Sequence, residues 1–332
     1  MKTDKFILAA LVISGALALG GCSNDSDNEP QPQSSFPADG QVRITAGIDD
    51  LITRAGTTSD NIIDQAIGLF FVTPGSDEYT YSNVKMEFKD GRWVATAASD
   101  GTASAPVMYW KDKETPVTVT AYAPWKANVT LEQELKYEGI ADQSTPEAVE
   151  RADLLLYKST KVNPATGLTV DGEISLTLQH VLSKMVLELT IGEDVKETVP
   201  GATITDVRIK GLVKDGTISW DGITYTRDVN TISTIVPYKA SEPDPSTGTT
   251  TYEAILYSQN VKASQLSVEI TVADDKTYVY TLGEQYNFFA NTPYTLPIQV
   301  GKSSPEVSFL KTNITADAWD TDGTDLGNKT ID

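Results

Sequence analysis

From Gln41 onward the chain repeats one pattern, in which four to nine residues alternate apolar and polar before a break at Gly, Pro, Asn or Asp. The stretch 266–272 states it most clearly. Leu266, Val268, Ile270 and Val272 fall on one face of an extended chain, and Ser267, Glu269 and Thr271 on the other. One face meets a core and the other meets water. Asp274 and Asp275 then turn the chain into 277–282, which predicts a hairpin. The same reading predicts first-half strands over 42–44, 67–72, 79–88, 93–95, 117–122, 154–157, 174–178 and 185–191. Second-half strands follow over 204–209, 217–220, 231–236, 252–257, 266–272, 278–282, 294–300 and 307–314. No long amphipathic helix interrupts them, and 146–151 has room for one or two helical turns within a connection. Half-wet strands at this spacing predict an all-β protein of antiparallel sandwiches, not a parallel sheet with crossover helices.

The N-terminus breaks the pattern. Lys2 and Lys5 lead into an apolar run over 6–19, which ends at Gly20-Gly21-Cys22. A membrane-spanning helix needs about 20 apolar residues, whereas this run has the length of a signal-peptide core. Residues 1–21 therefore read as an export signal. Leu19-Gly20-Gly21-Cys22 resembles the bacterial lipobox, in which the cysteine thiol takes up diacylglycerol and becomes the new N-terminus. On that resemblance Cys22 is the lipidation site, carrying acyl chains such as palmitate. It is the only cysteine in the chain, so no intramolecular disulfide competes for it. The alternative is an ordinary secretory signal with an incidental cysteine. Residues 23–35 hold no aliphatic or aromatic side chain, so residues 22–40 read as a lipidated flexible tether. Its acidic start resembles the surface-export signal of Bacteroidetes lipoproteins, with a plain spacer as the other reading. Acyl chains, at about 0.8 kcal/mol per buried methylene, hold a protein on a membrane without spanning it.

Charge narrows the partners. The chain has 46 acidic against 26 basic residues and repels phosphate backbones, which excludes nucleic acid as a partner. Roughly 310 residues would remain after export, more than one small core organises, and this predicts two domains. The charged stretch 192–201, closed by Pro200-Gly201, is the best join. It divides 41–195 from 196–332, with 241–250 as a protruding loop. Candidate chemistry is thin. His180 is the only histidine and lies at a strand end, where a packed role outweighs a catalytic one. Asp320, Asp322 and Asp325 around Gly323 look like part of a calcium loop, but lack its remaining ligands and read as a solvated tail. No phosphate loop, zinc cluster or selected carboxylate pair is present, so neither a metal, a cofactor nor an enzyme is expected.

Several landmarks then line up in order. They are Thr53-Arg54-Ala55 after the first strand, Ile67-Gly68-Leu69-Phe70, Tyr109-Trp110, and the run from Pro116 through Tyr122 to Pro124. Asp153-Leu154-Leu155-Leu156-Tyr157 and the run from Leu178 through His180 to Leu187 complete the set. This order and spacing resembles the fimbrillins, pilus subunits of the Bacteroidales type. The resemblance covers 42–190 well, and the second half only through 294–300 and Trp319. It implies two tandem transthyretin-like antiparallel β-sandwich domains, and an outer-membrane lipid-anchored precursor at the cell surface. It also implies an arginine-specific surface protease that cuts between Arg54 and Ala55, removing the first strand. Other fimbrial subunits then join by strand exchange. The tail 320–332 offers only Leu326 and Ile331 as apolar groups, so the donor is 307–319 or the subunit is an accessory or tip one that donates nothing. The competing expectation is a monomeric outer-membrane lipoprotein that binds glycans through exposed aromatics.

Overall fold

The structure is a computed structural model that describes residues 35–48, 62–97, 104–273, 275–301, 307–309 and 315–316. Its first-half strands are β1 (Ile44–Ile48), β2 (Ile67–Val72), β3 (Tyr81–Lys89), β4 (Arg92–Thr96), β5 (Val117–Ala123), β6 (Leu135–Glu138), β7 (Leu155–Val162), β8 (Ile174–His180) and β9 (Ser183–Ile191). The helix α1 (Pro146–Ala152) precedes β7, and α2 (Glu193–Thr198) follows β9. Then come β10 (Ile204–Val213), β11 (Asp215–Ile218), β12 (Tyr225–Arg227), β13 (Ile232–Ile235), β14 (Tyr238–Lys239), β15 (Thr250–Leu256) and β16 (Gln259–Val261). The last are β17 (Ser267–Val272), β18 (Lys276–Thr281), β19 (Tyr286–Phe288), β20 (Thr292–Val300), β21 (Val307–Phe309) and β22 (Thr315–Ala316). The protein is all-β, as the alternation predicts. α1 sits at the expected connection, with Pro146 in its first turn and the Thr145 hydroxyl accepting from the Ala148 N–H.

A seven-stranded sheet in the order β1-β8-β7-β5-β2-β3-β4 forms the first half. It curls until its two edge strands, β1 and β4, approach each other around one core. In the second half, β14-β15-β9-β20-β21 faces β13-β10-β17-β18 across another core. Two pairings depart from the antiparallel expectation, since β1 runs parallel to β8 and β9 parallel to β20. Each of these partners is distant in sequence, so no hairpin dictates their direction. The sheets change over at Val181 and Leu182, because β8 belongs to the first sheet and β9 pairs with β15 and β20.

A third core lies between these two. It gathers Phe70, Tyr122 and Leu156 from the first sheet, Tyr137, Ile218 and Tyr225 from the three-stranded sheet β12-β11-β6, and Ile255 and Tyr257 from the second half. This explains why β2 and β15 are buried along nearly their whole length. Leu69 and Phe71 face the first core while Phe70 faces the third. Two glycines make room for its rings. A Cβ on Gly68 would lie 2.1 Å from the Tyr122 ring, and one on Gly216 2.5 Å from that of Tyr257. The hydroxyls are satisfied, Tyr257 donating to the Thr217 and Thr226 carbonyls at 2.7 and 3.1 Å, and Tyr137 to the Ala152 carbonyl at 2.7 Å.

Candidate functional site: the edge held by the first strand

β1 alternates in the way its position demands, with Ile44 and Ile48 buried and Thr45 turned toward the surface. Val42, Ile44 and Ile48 are members of the first core, with Ala46 packed against it. The ladder to β8 pairs Ile44 with Ile174, Ala46 with Leu176 and Ile48 with Leu178. β8 thus has β7 on one side and only β1 on the other. The expected strand at 42–44 is therefore real but sits two residues later.

The segment before β1 is docked too. Residues 35–40, expected as the end of a tether, turn at Gly40, whose N–H donates to the Pro37 carbonyl at 3.0 Å. Trp110 donates its N–H to the Gly40 carbonyl, and Val42 donates to the Met108 carbonyl, both at 2.9 Å. Phe36 rests on Trp110 with ring centres 6.2 Å apart, and the Lys113 ammonium lies 5.5 Å from the Phe36 ring. Trp110 in turn meets Phe71 edge-on at 5.0 Å. Asp39 and Arg43 form an exposed pair at 2.5 Å, and the guanidinium holds the Asp39 carboxyl below its ordinary range. Phe36 was the missed signal, an aromatic residue directly after the polar run. A cavity of about 280 Å³ opens between 41–43, β4 and Met108, where the two sheet edges approach.

Cys22, Arg54 and Ala55 lie outside the described residues, as do Asp320, Asp322, Asp325 and Trp319. His180 is sealed in, 2.9 Å from the Asp153 carboxylate, with both side chains at most 1% exposed. A substrate has no path to that pair. Among the described residues, no cluster of acidic, histidine or cysteine side chains is placed to hold a metal, and no helix is long and apolar enough to cross a membrane.

The sequence profile of one family, described as fimbrillin-like, matches residues 53–319. The chain belongs to the fimbrillin-like family. No curated protein matches it. Among solved structures, a proposed cell adhesion protein from Bacteroides uniformis shares 19% identity at a TM-score of 0.56, covering 85% of this chain and 99% of its own. Another proposed cell adhesion protein, from Bacteroides ovatus, shares 17% identity at 0.57, with 82% and 96% covered. At these identities the likeness is one of fold. Membership of the fimbrillin-like family supports a fimbrial or adhesive subunit at the cell surface, a structural role more than an enzymatic one.

Proposed function

We propose that the protein is a subunit of a cell-surface fimbrium, exported as a lipoprotein through Cys22 and assembled by strand complementation after an arginine-specific surface protease cuts between Arg54 and Ala55. The observation that carries this reading is the place of β1, an edge strand that fills a core and lies before the proposed cut. Cleavage would release lipid and strand together. The free edge of β8 would then be unpaired, and such an edge recruits another strand. Val42, Ile44 and Ile48, at about 1.5–3 kcal/mol for each buried side chain, give the scale of what a replacement strand could regain.

A second copy of the chain carries a matching segment. Ile314-Thr315-Ala316 repeats Ile44-Thr45-Ala46, and in that register Thr312 and Ala318 stand where the N-terminal segment has Val42 and Ile48. This favours 307–319 as donor over the polar tail. A copy whose C-terminal segment stays on β20 would accept a strand and give none, which suits an accessory or tip position. The same reading treats 41–195 and 196–332 as tandem transthyretin-like sandwiches with β9 exchanged at the join, first by sequence and second by pairing. N-terminal sequencing of sheared surface fibres tests the proposal. Chains should begin at Ala55, and Arg54→Ala should leave a lipidated monomer on the membrane; fibres formed by that variant at the normal level would overturn it.

A further inference from the structure

β19 reaches β20 through Phe289, Ala290 and Asn291. Phe288 points inward, its ring edge-on to Tyr294 at 5.0 Å, so the alternation turns Phe289 outward, where it is 38% exposed. The stem of that ring is fixed from both sides. The Phe289 N–H donates to the Tyr294 hydroxyl at 2.8 Å, and the Phe289 carbonyl accepts from the Ser183 hydroxyl at 2.7 Å. Beside it lies a cavity of about 380 Å³ lined by Gln285, Tyr286, Asn287, Phe289 and Tyr294. Tyr286 stands edge-to-face against Tyr294, ring centres 5.6 Å apart at 87°. Gln285, Asn287 and Phe289 follow one another on the same side of the strand, and Asn260 lies opposite Asn287 in the ladder.

The lining is unusual for this chain. It holds two carboxamides and three aromatic rings but no charged group, although 72 of the 332 residues are Asp, Glu, Lys or Arg. The cavity over β6, β11 and β12, by contrast, is lined by Glu134, Lys136, Glu138, Asp215, Arg227 and Asp228. A carboxamide both donates and accepts, which matches a sugar hydroxyl, and a ring face matches the C–H face of a pyranose. Ring faces and carboxamides without an ion therefore select a neutral sugar. The chain's net charge of −20 repels an anionic one.

We propose that this corner binds a neutral hexose unit of a surface glycan, with Phe289 stacking on the ring, Gln285 and Asn287 reading its hydroxyls, and Tyr286 and Tyr294 walling the cavity from the core side. Pre-set ring geometry lowers the ordering cost of such a contact. The site uses neither β1 nor the Arg54 bond, so it stands or falls apart from the assembly reading. The test is binding of the purified exported protein to immobilised oligosaccharides ending in galactose, mannose, N-acetylglucosamine or sialic acid. Neutral termini should bind and sialylated ones should not. Phe289→Ala and Asn287→Ala should each weaken binding by about tenfold or more while keeping the parent's circular dichroism spectrum and a cooperative melt. Val170→Ser, at an exposed position outside the pocket lining, should bind normally. Absence of binding to every neutral terminus, preference for sialic acid, or undiminished binding by both pocket variants would overturn the proposal.

Discussion

Each half of the protein ends a sheet with a terminal segment, and the two do so differently. β1 follows β8 through five consecutive pairs and places Ile44 and Ile48 in the first core, with Val42 joining them from just before the strand. The C-terminal segment meets β20 in two pieces, β21 through three pairs and β22 through two. On β20, Leu296 and Pro297 lie between the residues that pair with β21 and those that pair with β22. Pro297 has no N–H to give to a neighbour. One edge is sealed by a strand that belongs to a core, and at the other the described pairs are those of β21 and β22, on either side of a proline of β20. The contrast teaches that edge position alone does not make a strand dispensable; the side chains it buries decide the cost of losing it.

Deletion should separate the two edges most strongly. Removing residues 35–48 from the uncut protein takes three core side chains, at about 1.5–3 kcal/mol each, and leaves β8 unpaired. Truncation after Gly301 removes β21 and β22, which pair with β20 at five positions among the described residues. Thermal unfolding should show a fall in melting temperature for the first deletion several times that for the second. Equal falls would break the comparison.

The next effect comes from ion pairs, which also differ between the halves. Lys184 on β9 and Glu253 on β15 form a buried pair at 3.0 Å, with side chains 5% and 2% exposed. Lys184→Met should destabilise by about 3–5 kcal/mol in urea unfolding because Glu253 loses its buried counter-charge, and Lys184→Met with Glu253→Leu should recover much of that. On the first sheet, Glu87 sits between Lys85 and Lys89, 2.6 Å from each. Hydrogen bonds from Lys85 and Lys89 lower its carboxyl from 4.5 to about 2. The depressed value means that this contribution is complete above the free carboxylate's range and is lost as pH falls from about 4.5 toward 2. Glu87→Gln should therefore cost under about 1 kcal/mol near neutral pH, and the difference from the parent protein should fade as pH falls through about 2.

Much of the fold was legible because a half-buried strand writes its two faces into the sequence. β17 and β20 bury alternate residues, and 266–272 and 294–300 show that alternation directly. The third core was not legible. Its residues come from β2, β5, β6, β7, β11, β12, β15, α1 and the loops between them, and each element contributes only one or two. The trace it left is the unbroken apolar run Ile67 to Val72, where polar residues would mark a wet face and only Gly68 relieves the run. Parallel pairing left no local mark either, since strand direction depends on the path between partners. At the candidate site, the place of β1 followed from its pattern, while the docking of Phe36 on Trp110 needed the turn at Gly40 that brings 36 and 110 together.

The changeover between the halves has a mechanical consequence. Val181 and Leu182, where the chain leaves one sheet for the next, are 3% and 0% exposed inside the third core. Bending at that point would have to pull apart the rings of Tyr137, Tyr225 and Tyr257, which stack or meet edge-on within about 6 Å of their neighbours. Tension entering through the first sheet therefore reaches the second through these packed rings and not through an exposed hinge.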